Sequence, residues 1–153
     1  MKHFLFIVAI AALLVSCEKE NVIHTGDVTG TLYGIWALDS KTVALNDKTS
    51  TEDYSKAHFF LSLSEPFLAL AKKGSFTEAD LKDVDVDGAV FNFNADLKKI
   101  EFKDMLWLSD EFLSYNMILK GTFDVLELTD KSLVISQKDL LGTTTTYTYH
   151  RYR

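Results

Sequence analysis

The chain has 153 residues, 47% of them hydrophobic, and a net charge of −6. That is one domain's worth of chain. With an acidic balance and no Lys/Arg-rich stretch, it lacks the clustered positive charge that nucleic acid or anionic headgroups require, and its single cysteine, Cys17, has no partner for an internal disulfide.

The chain opens on a short basic start, Met1-Lys2-His3, followed by an unbroken apolar run from Phe4 to Val15. A spanning helix needs about 20 apolar residues, so this shorter run reads as the core of a secretory signal. It ends in Leu14-Val15-Ser16-Cys17, an aliphatic, a tolerant position, a small residue and a cysteine. That pattern resembles the lipobox of bacterial lipoproteins. The resemblance implies cleavage after Ser16, a diacylglycerol on the Cys17 thiol and acylation of the new amine. Residues 1–16 are then a signal peptide, and their removal takes one lysine, so the net charge moves from −6 to −7. Each buried CH₂ adds about 0.8 kcal/mol, and two or three chains make such a tether effectively permanent. Residues 17–28 read as the lipidated, flexible tether. Glu18 and Glu20, interrupted by Lys19, resemble the acidic signal with which some Bacteroidetes lipoproteins reach the outer surface. The expected location is the bacterial outer membrane, periplasmic or surface-facing.

Residues 29–153 are the expected domain. Tyr33 to Leu45 begins it as a strand. Ala57, Phe59, Leu61 and Leu63 alternate with mostly polar residues, the period of a half-buried strand. Ser64-Glu65-Pro66 then looks like a helix cap and Gly74 like a helix stop. A short helix is expected near 65–73, with a strand over Phe67 to Ala71 as the alternative. Ser75-Phe76-Thr77-Glu78 fits a capping box and puts a second short helix near 76–82. Ala89 to Phe93 and Lys99 to Lys103 read as a hairpin turning near Asn94-Ala95-Asp96, with Phe91 and Phe93 sharing one face and Ile100 and Phe102 sharing one on the partner. Tyr115, Met117 and Leu119 alternate with Asn116 and Lys120. Gly121 to Leu128, Leu133 to Gln137 and Thr143 to Arg153 are separated by turn signals and form an antiparallel meander. About 7–9 strands, one or two short helices and a single proline give an all-β, antiparallel up-and-down barrel.

Gly34-Ile35-Trp36, at the start of the first long strand, resembles the G-x-W motif of lipocalins and related calycins. In that superfamily the tryptophan packs across one end of the barrel and a basic residue from the last strand lies over it. The resemblance implies that Gly34, Trp36 and Arg151 close the barrel, with Arg153 as the second candidate. A guanidinium over an indole contributes roughly 0.5–2 kcal/mol. The succession of lipobox, tether, G-x-W, meander and aromatic last strand resembles the small lipocalin-like lipoproteins of Bacteroidetes. The chain departs from lipocalins proper in its shortness and in the helices expected among its strands.

Patterns that could carry chemistry are sparse. Asp83-Val84-Asp85-Val86-Asp87-Gly88 matches the first half of a calcium loop, but position twelve is Asn94 where a bidentate Glu is needed, so it reads as an acidic approach to a strand. His3, His24, His58 and His150 lie in the leader, the tether and two separate strands and do not converge. There is no G-x-S-x-G and, once Cys17 is lipidated, no thiol. No enzyme activity, metal or cofactor is expected. Asp110-Glu111 after Trp107 is the most tempting carbohydrate-type cluster, though a polar loop beside a core Trp107 is the plainer reading.

The aromatic excess carries the functional expectation. Trp36, Phe59, Phe91, Phe93, Phe102, Tyr115, Tyr147 and Tyr149 are candidates to line a site for a small apolar or sugar-like ligand. An eight-stranded barrel is only just wide enough to be filled by side chains or to hold one small ligand, and large Phe and Tyr side chains favour filling. The alternative function is a filled-core interaction module that binds an envelope protein on its outer surface, through an apolar patch or an open strand edge.

Overall fold

The computed structural model describes residues 26–74, 87–110 and 114–153. Nine strands run in chain order: β1 (Gly34–Leu45), β2 (Lys48–Asp53), β3 (Phe59–Ser64), β4 (Leu68–Lys73), β5 (Asp87–Asn94), β6 (Lys99–Asp110), β7 (Tyr115–Leu128), β8 (Ser132–Lys138) and β9 (Thr144–Arg151). β1 pairs with β3, each later strand pairs with the next, and β9 pairs back onto β1. Eight strands therefore close an antiparallel up-and-down barrel, and closure removes the sheet edges that would otherwise invite aggregation.

β2 is the strand outside the barrel circuit. It doubles back from β1 across Asn46-Asp47 and pairs with Ser40 to Leu45, while Gly34 to Ala37 on the same edge of β1 pair with β3. Asn46 takes the positive φ of 52° that this two-residue turn needs, a conformation that Asn tolerates. All six residues of β2 are exposed, so no hydrophobic alternation marks it in the sequence.

The helix expected near 65–73 is corrected: residues 65–67 are a turn, and Leu68 to Lys73 are strand β4, with ladders to β3 and β5. Alanine favours helix only weakly, and two flanking strands outweigh that preference. Ala69 and Ala71 are fully buried, and Ala69 sits directly opposite Ala89 of β5. Small residues on this wall make room for the large ones on the others. No helix occurs among the described residues. The second expected helix, near 76–82, lies outside them. So do residues 1–25, with the signal and Cys17, and most of the calcium-like pattern. The chain meets the barrel at Asp27, whose carbonyl accepts from the Leu128 N–H at 2.9 Å, and Val28 bridges Leu128 in parallel.

Long strands need interruptions to curve round a barrel. β6 shifts register between Phe102 and Leu106, and β7 between Val125 and Glu127. Gly121, with φ of 78°, lies opposite Phe102 at the first of these. Such irregularities increase local twist and bend the strand. Rings follow one another from the exposed Phe67 into the core: Phe67–Phe91, Phe91–Phe102, Phe102–Phe123, Phe123–Tyr147 and Tyr147–Tyr149 have centroids 5.8 to 6.4 Å apart.

β7 is longer than its partner. Its ladder to β8 covers only Asp124 to Leu128. Over the stretch before it, side chains take the place of a strand. The Tyr54 hydroxyl donates to the Asn116 carbonyl at 2.8 Å and accepts from the Asn116 N–H at 3.0 Å. The Tyr147 hydroxyl does the same at Ile118, at 3.1 and 3.2 Å. The Gln137 amide nitrogen donates to the carbonyls of Lys120 and Thr122 at 2.9 and 3.0 Å.

Candidate functional site

At one end of the barrel Trp36 is fully buried, and its indole N–H donates to the Leu32 carbonyl at 2.9 Å. The Arg151 guanidinium lies 4.2 Å from the indole centroid. Trp36 and Arg151 are direct partners on the β1–β9 ladder. Arg151 also donates to three carbonyls: Asp130 at 2.8 Å, Tyr33 at 2.9 Å, and Thr31. Gly34 has φ of 147°, and a Cβ there would overlap the Arg151 guanidinium. Arg153 lies over Tyr152 instead, 5.5 Å from its centroid. This end is shut.

The eight aromatic candidates divide between core and surface. Trp36, Phe59, Phe91, Phe102, Tyr147 and Tyr149 are buried in one continuous core. Phe91 and Trp36 are fully buried, and Phe59, also fully buried, backs a small recess on the β1 wall. Phe93 and Tyr115 are half-buried and line separate surface grooves, Phe93 with Phe67, Asn92 and Lys99, Tyr115 with Trp107 and Asn116. The interior hydroxyls are all engaged: Tyr54 and Tyr147 on β7 backbone, Tyr149 on the Met117 sulfur at 3.3 Å. Burial pushes all three phenols above their ordinary pKa. Among the described residues no buried side-chain nitrogen or oxygen lacks a partner. Among the described residues, an interior ligand would find these rings buried against one another and no unengaged buried polar group.

The outer wall offers more. Trp107, placed in the core by the sequence reading, is corrected: it faces outward and is 51% exposed. Its neighbours in sequence explain this. Met105 to Leu108 are four apolar residues in a row, and the β6–β7 register turns Leu106 inward, so Trp107 must point out. Trp107 is directly opposite Ile118, itself 45% exposed, and Ser109 is directly opposite Asn116. With Asp110, Ser114 and Tyr115 they line an open groove of about 460 Å³.

The polar groups of this groove are held in place. Asp110 is buried, and its carboxylate lies 2.6 Å from the Lys73 ammonium at the end of β4. The Lys41 ammonium donates to the Asn116 side-chain oxygen at 2.7 Å. An ammonium can only donate, so this contact fixes which end of the amide is oxygen and leaves the amide nitrogen as a donor. Burial lowers the Lys41 pKa, and the nearby Glu52 carboxylate partly offsets that. Glu111, the second half of the acidic pair, lies outside the described residues. Sequence reading missed Tyr54, which follows the unrecognised β2, and Lys73, which lies two residues beyond the strand it gave as the alternative over Phe67 to Ala71.

A smaller recess of about 130 Å³ brings together His58, His150, Phe60 and Tyr152 on the β1 wall, where the His150 imidazole is 2.6 Å from the Asp39 carboxylate. Among the described residues no three His, Cys, Asp or Glu side chains converge on a metal position.

Fold and site together define an eight-stranded antiparallel barrel, consistent with a lipocalin-like architecture, with a closed end, a packed interior and a groove on its wall. No protein-family model, curated protein or solved structure matches the chain.

Proposed function

We propose that this protein is a lipid-anchored binding module of the bacterial outer membrane, tethered through Cys17, that engages its partner on the outer wall of a filled barrel and catalyses no reaction. The single observation that carries the outer-wall part is the placement of the aromatics. The large rings expected to line a ligand site are packed against one another, while Trp107 is half-exposed over a groove. Trp107 and the half-exposed Ile118 directly opposite it form a contiguous apolar area, and such areas mark interaction sites. The anchoring part rests on the Leu14-Val15-Ser16-Cys17 pattern. A small apolar or sugar-like ligand inside the barrel would require Phe91, Phe102 and Tyr149 to move apart.

Two measurements test this reading. The Cys17→Ser variant should leave the membrane fraction for the soluble fraction; a variant still pelleting with membranes would remove the anchor. A photo-crosslinking side chain replacing Met105, exposed on β6 two residues before Trp107, in cells of the natural host should give adducts that the same group at Thr148, on the wall of β9, does not. A silent position 105 would overturn the outer-wall reading, as would a small apolar molecule retained in native mass spectra of the purified protein.

A further inference from the structure

We infer that the groove beside Trp107 is a saccharide-binding site that takes a short, uncharged stretch of a glycan chain; this rests on the outer-wall reading above and names its ligand. A pyranose ring has two kinds of surface. One face presents C–H bonds and behaves as apolar area, and the rim carries hydroxyls that both donate and accept. A matching site needs a flat, exposed aromatic beside fixed, uncharged hydrogen-bonding groups. The β6–β7 ladder supplies both in adjacent rows. Trp107 and Ile118 form an apolar row, and Ser109 and Asn116 form the next outward-facing row. Rows two residues apart on a strand are about 6.6–6.8 Å apart. A ring stacked on the indole would reach the second row from its rim through one ordinary hydrogen bond of about 2.8 Å.

Among the described residues that line the groove, Asp110 alone is charged, and it is matched. Lys73 is paired with Asp110, and Lys41 is spent on the Asn116 carbonyl and side-chain oxygens. An anionic ligand would have to displace the buried Asp110 from its cation. A cation would find that carboxylate already neutralised. What remains to a ligand is the indole, the Ser109 and Ser114 hydroxyls and the Asn116 amide nitrogen, which is the complement of a neutral sugar. Asn116 is fixed twice, by Lys41 on its side chain and by Tyr54 on its backbone, so little ordering remains to be done on binding. The groove of about 460 Å³ falls in the range of small-molecule sites. It is open on one side, so a single segment should bind weakly, and affinity should build along a chain or through many tethered copies.

The test uses the full-length protein in a polyoxyethylene detergent, which carries no sugar. Trp36 is fully buried, so acrylamide quenching of fluorescence reports on Trp107. Cellotriose, maltotriose, xylotriose and tri-N-acetylchitotriose are titrated separately, with trigalacturonate as the anionic probe. At least one neutral trisaccharide should protect Trp107 saturably. Calorimetry with that sugar should show binding lost in Trp107→Ala and weakened about tenfold in Asn116→Ala, the equivalent of one hydrogen bond to a fixed donor. The Tyr54 bridge is to the Asn116 backbone and survives that substitution, so the variant should keep its circular dichroism spectrum. Leu97→Ser, on the exposed turn before β6 and at the other end of that strand from Trp107, should bind as the parent does. The inference is overturned if no neutral sugar protects Trp107 at several tens of millimolar, if only trigalacturonate does, or if binding survives Trp107→Ala. Should the crosslinker at position 105 still capture a partner in that case, the outer-wall reading stands and only the saccharide falls. If both are silent, both fall.

Discussion

Arg151 combines three tasks in one side chain: it covers Trp36, it ties β9 to the carbonyls of Thr31 and Tyr33, and it holds the β7–β8 turn through Asp130. The planar fork makes this possible, and an ammonium could not reproduce it. Arg151→Ala should therefore cost about 2–4 kcal/mol, the cation–π contact plus charge-assisted hydrogen bonds. Arg151→Lys should recover less than half of that. Urea unfolding followed by tryptophan emission measures both, and a loss under about 1 kcal/mol would show that the closed end contributes little to stability. The buried phenols make a second prediction at this scale. Tyr54, Tyr147 and Tyr149 have pKa values raised by burial. In the unfolded chain they ionise near pH 10, while the native state keeps its protons. Their contribution is fully present below pH 10 and is lost as pH rises from there through the raised native values. Stability should fall steeply above pH 10, and the share of tyrosinate absorbance that belongs to these three phenols, half of the chain's six tyrosines, should appear together with unfolding rather than before it. Phenols that ionise while near-ultraviolet dichroism stays native would contradict this.

At the scale of elements, β4 and the first half of β7 each depend on their neighbours. Ala71 is buried in a strand wall of small side chains. Ala71→Val raises strand preference but adds two methyl groups to a packed core, so it should destabilise by about 1–3 kcal/mol. On a solvent-exposed helix the same change would cost only a few tenths of a kcal/mol. Denaturant midpoints distinguish the two. Tyr54 and Tyr147 act on β7 as a strand partner would, each closing both backbone groups of one residue. Tyr147→Phe removes the hydroxyl and keeps the ring. It should cost about 1–3 kcal/mol, because the Ile118 N–H and carbonyl are left without their partner. Hydrogen exchange should quicken at Ile118 while Leu119, paired with Leu106, stays protected.

For the whole molecule, the decisive property is that the barrel is filled. The ring succession from the exposed Phe67 to Tyr149 runs into the interior, and Phe91 stands second in it, fully buried. Phe91→Ala should cost about 3–5 kcal/mol and leave an apolar cavity. Such cavities stay dry and accept small apolar molecules. Benzene should therefore raise the melting temperature of Phe91→Ala and leave that of the parent unchanged, since only a ligand that prefers the native state stabilises it. A benzene-induced shift in the parent would reveal an interior site that the packing denies.

Much of the barrel was legible in the sequence. Gly34-Ile35-Trp36 marked its first strand, and Phe91, Phe93, Ile100 and Phe102 carried period-2 patterns that the observed register pairs as Phe91 with Phe102 and Phe93 with Ile100. Local pattern failed where it had nothing to record. β2 is exposed on every residue, so its only signal is its hydrogen bonds to β1. Residues 65–73 satisfied helix capping rules with a strand over Phe67 to Ala71 as the alternative, and the ladders to β3 and to β5, which lies further along the chain, decided for β4. Composition and alternation by themselves determined an all-β chain with an aromatic core, because side-chain period and β preference are properties of short segments. Whether that core closes on itself, and which way Trp107 points, were decided only by the tertiary structure. Filling depends on volumes summed around eight strands, and in the apolar run Met105-Leu106-Trp107-Leu108 only the pairing of β6 with β7 chooses the inward side chains.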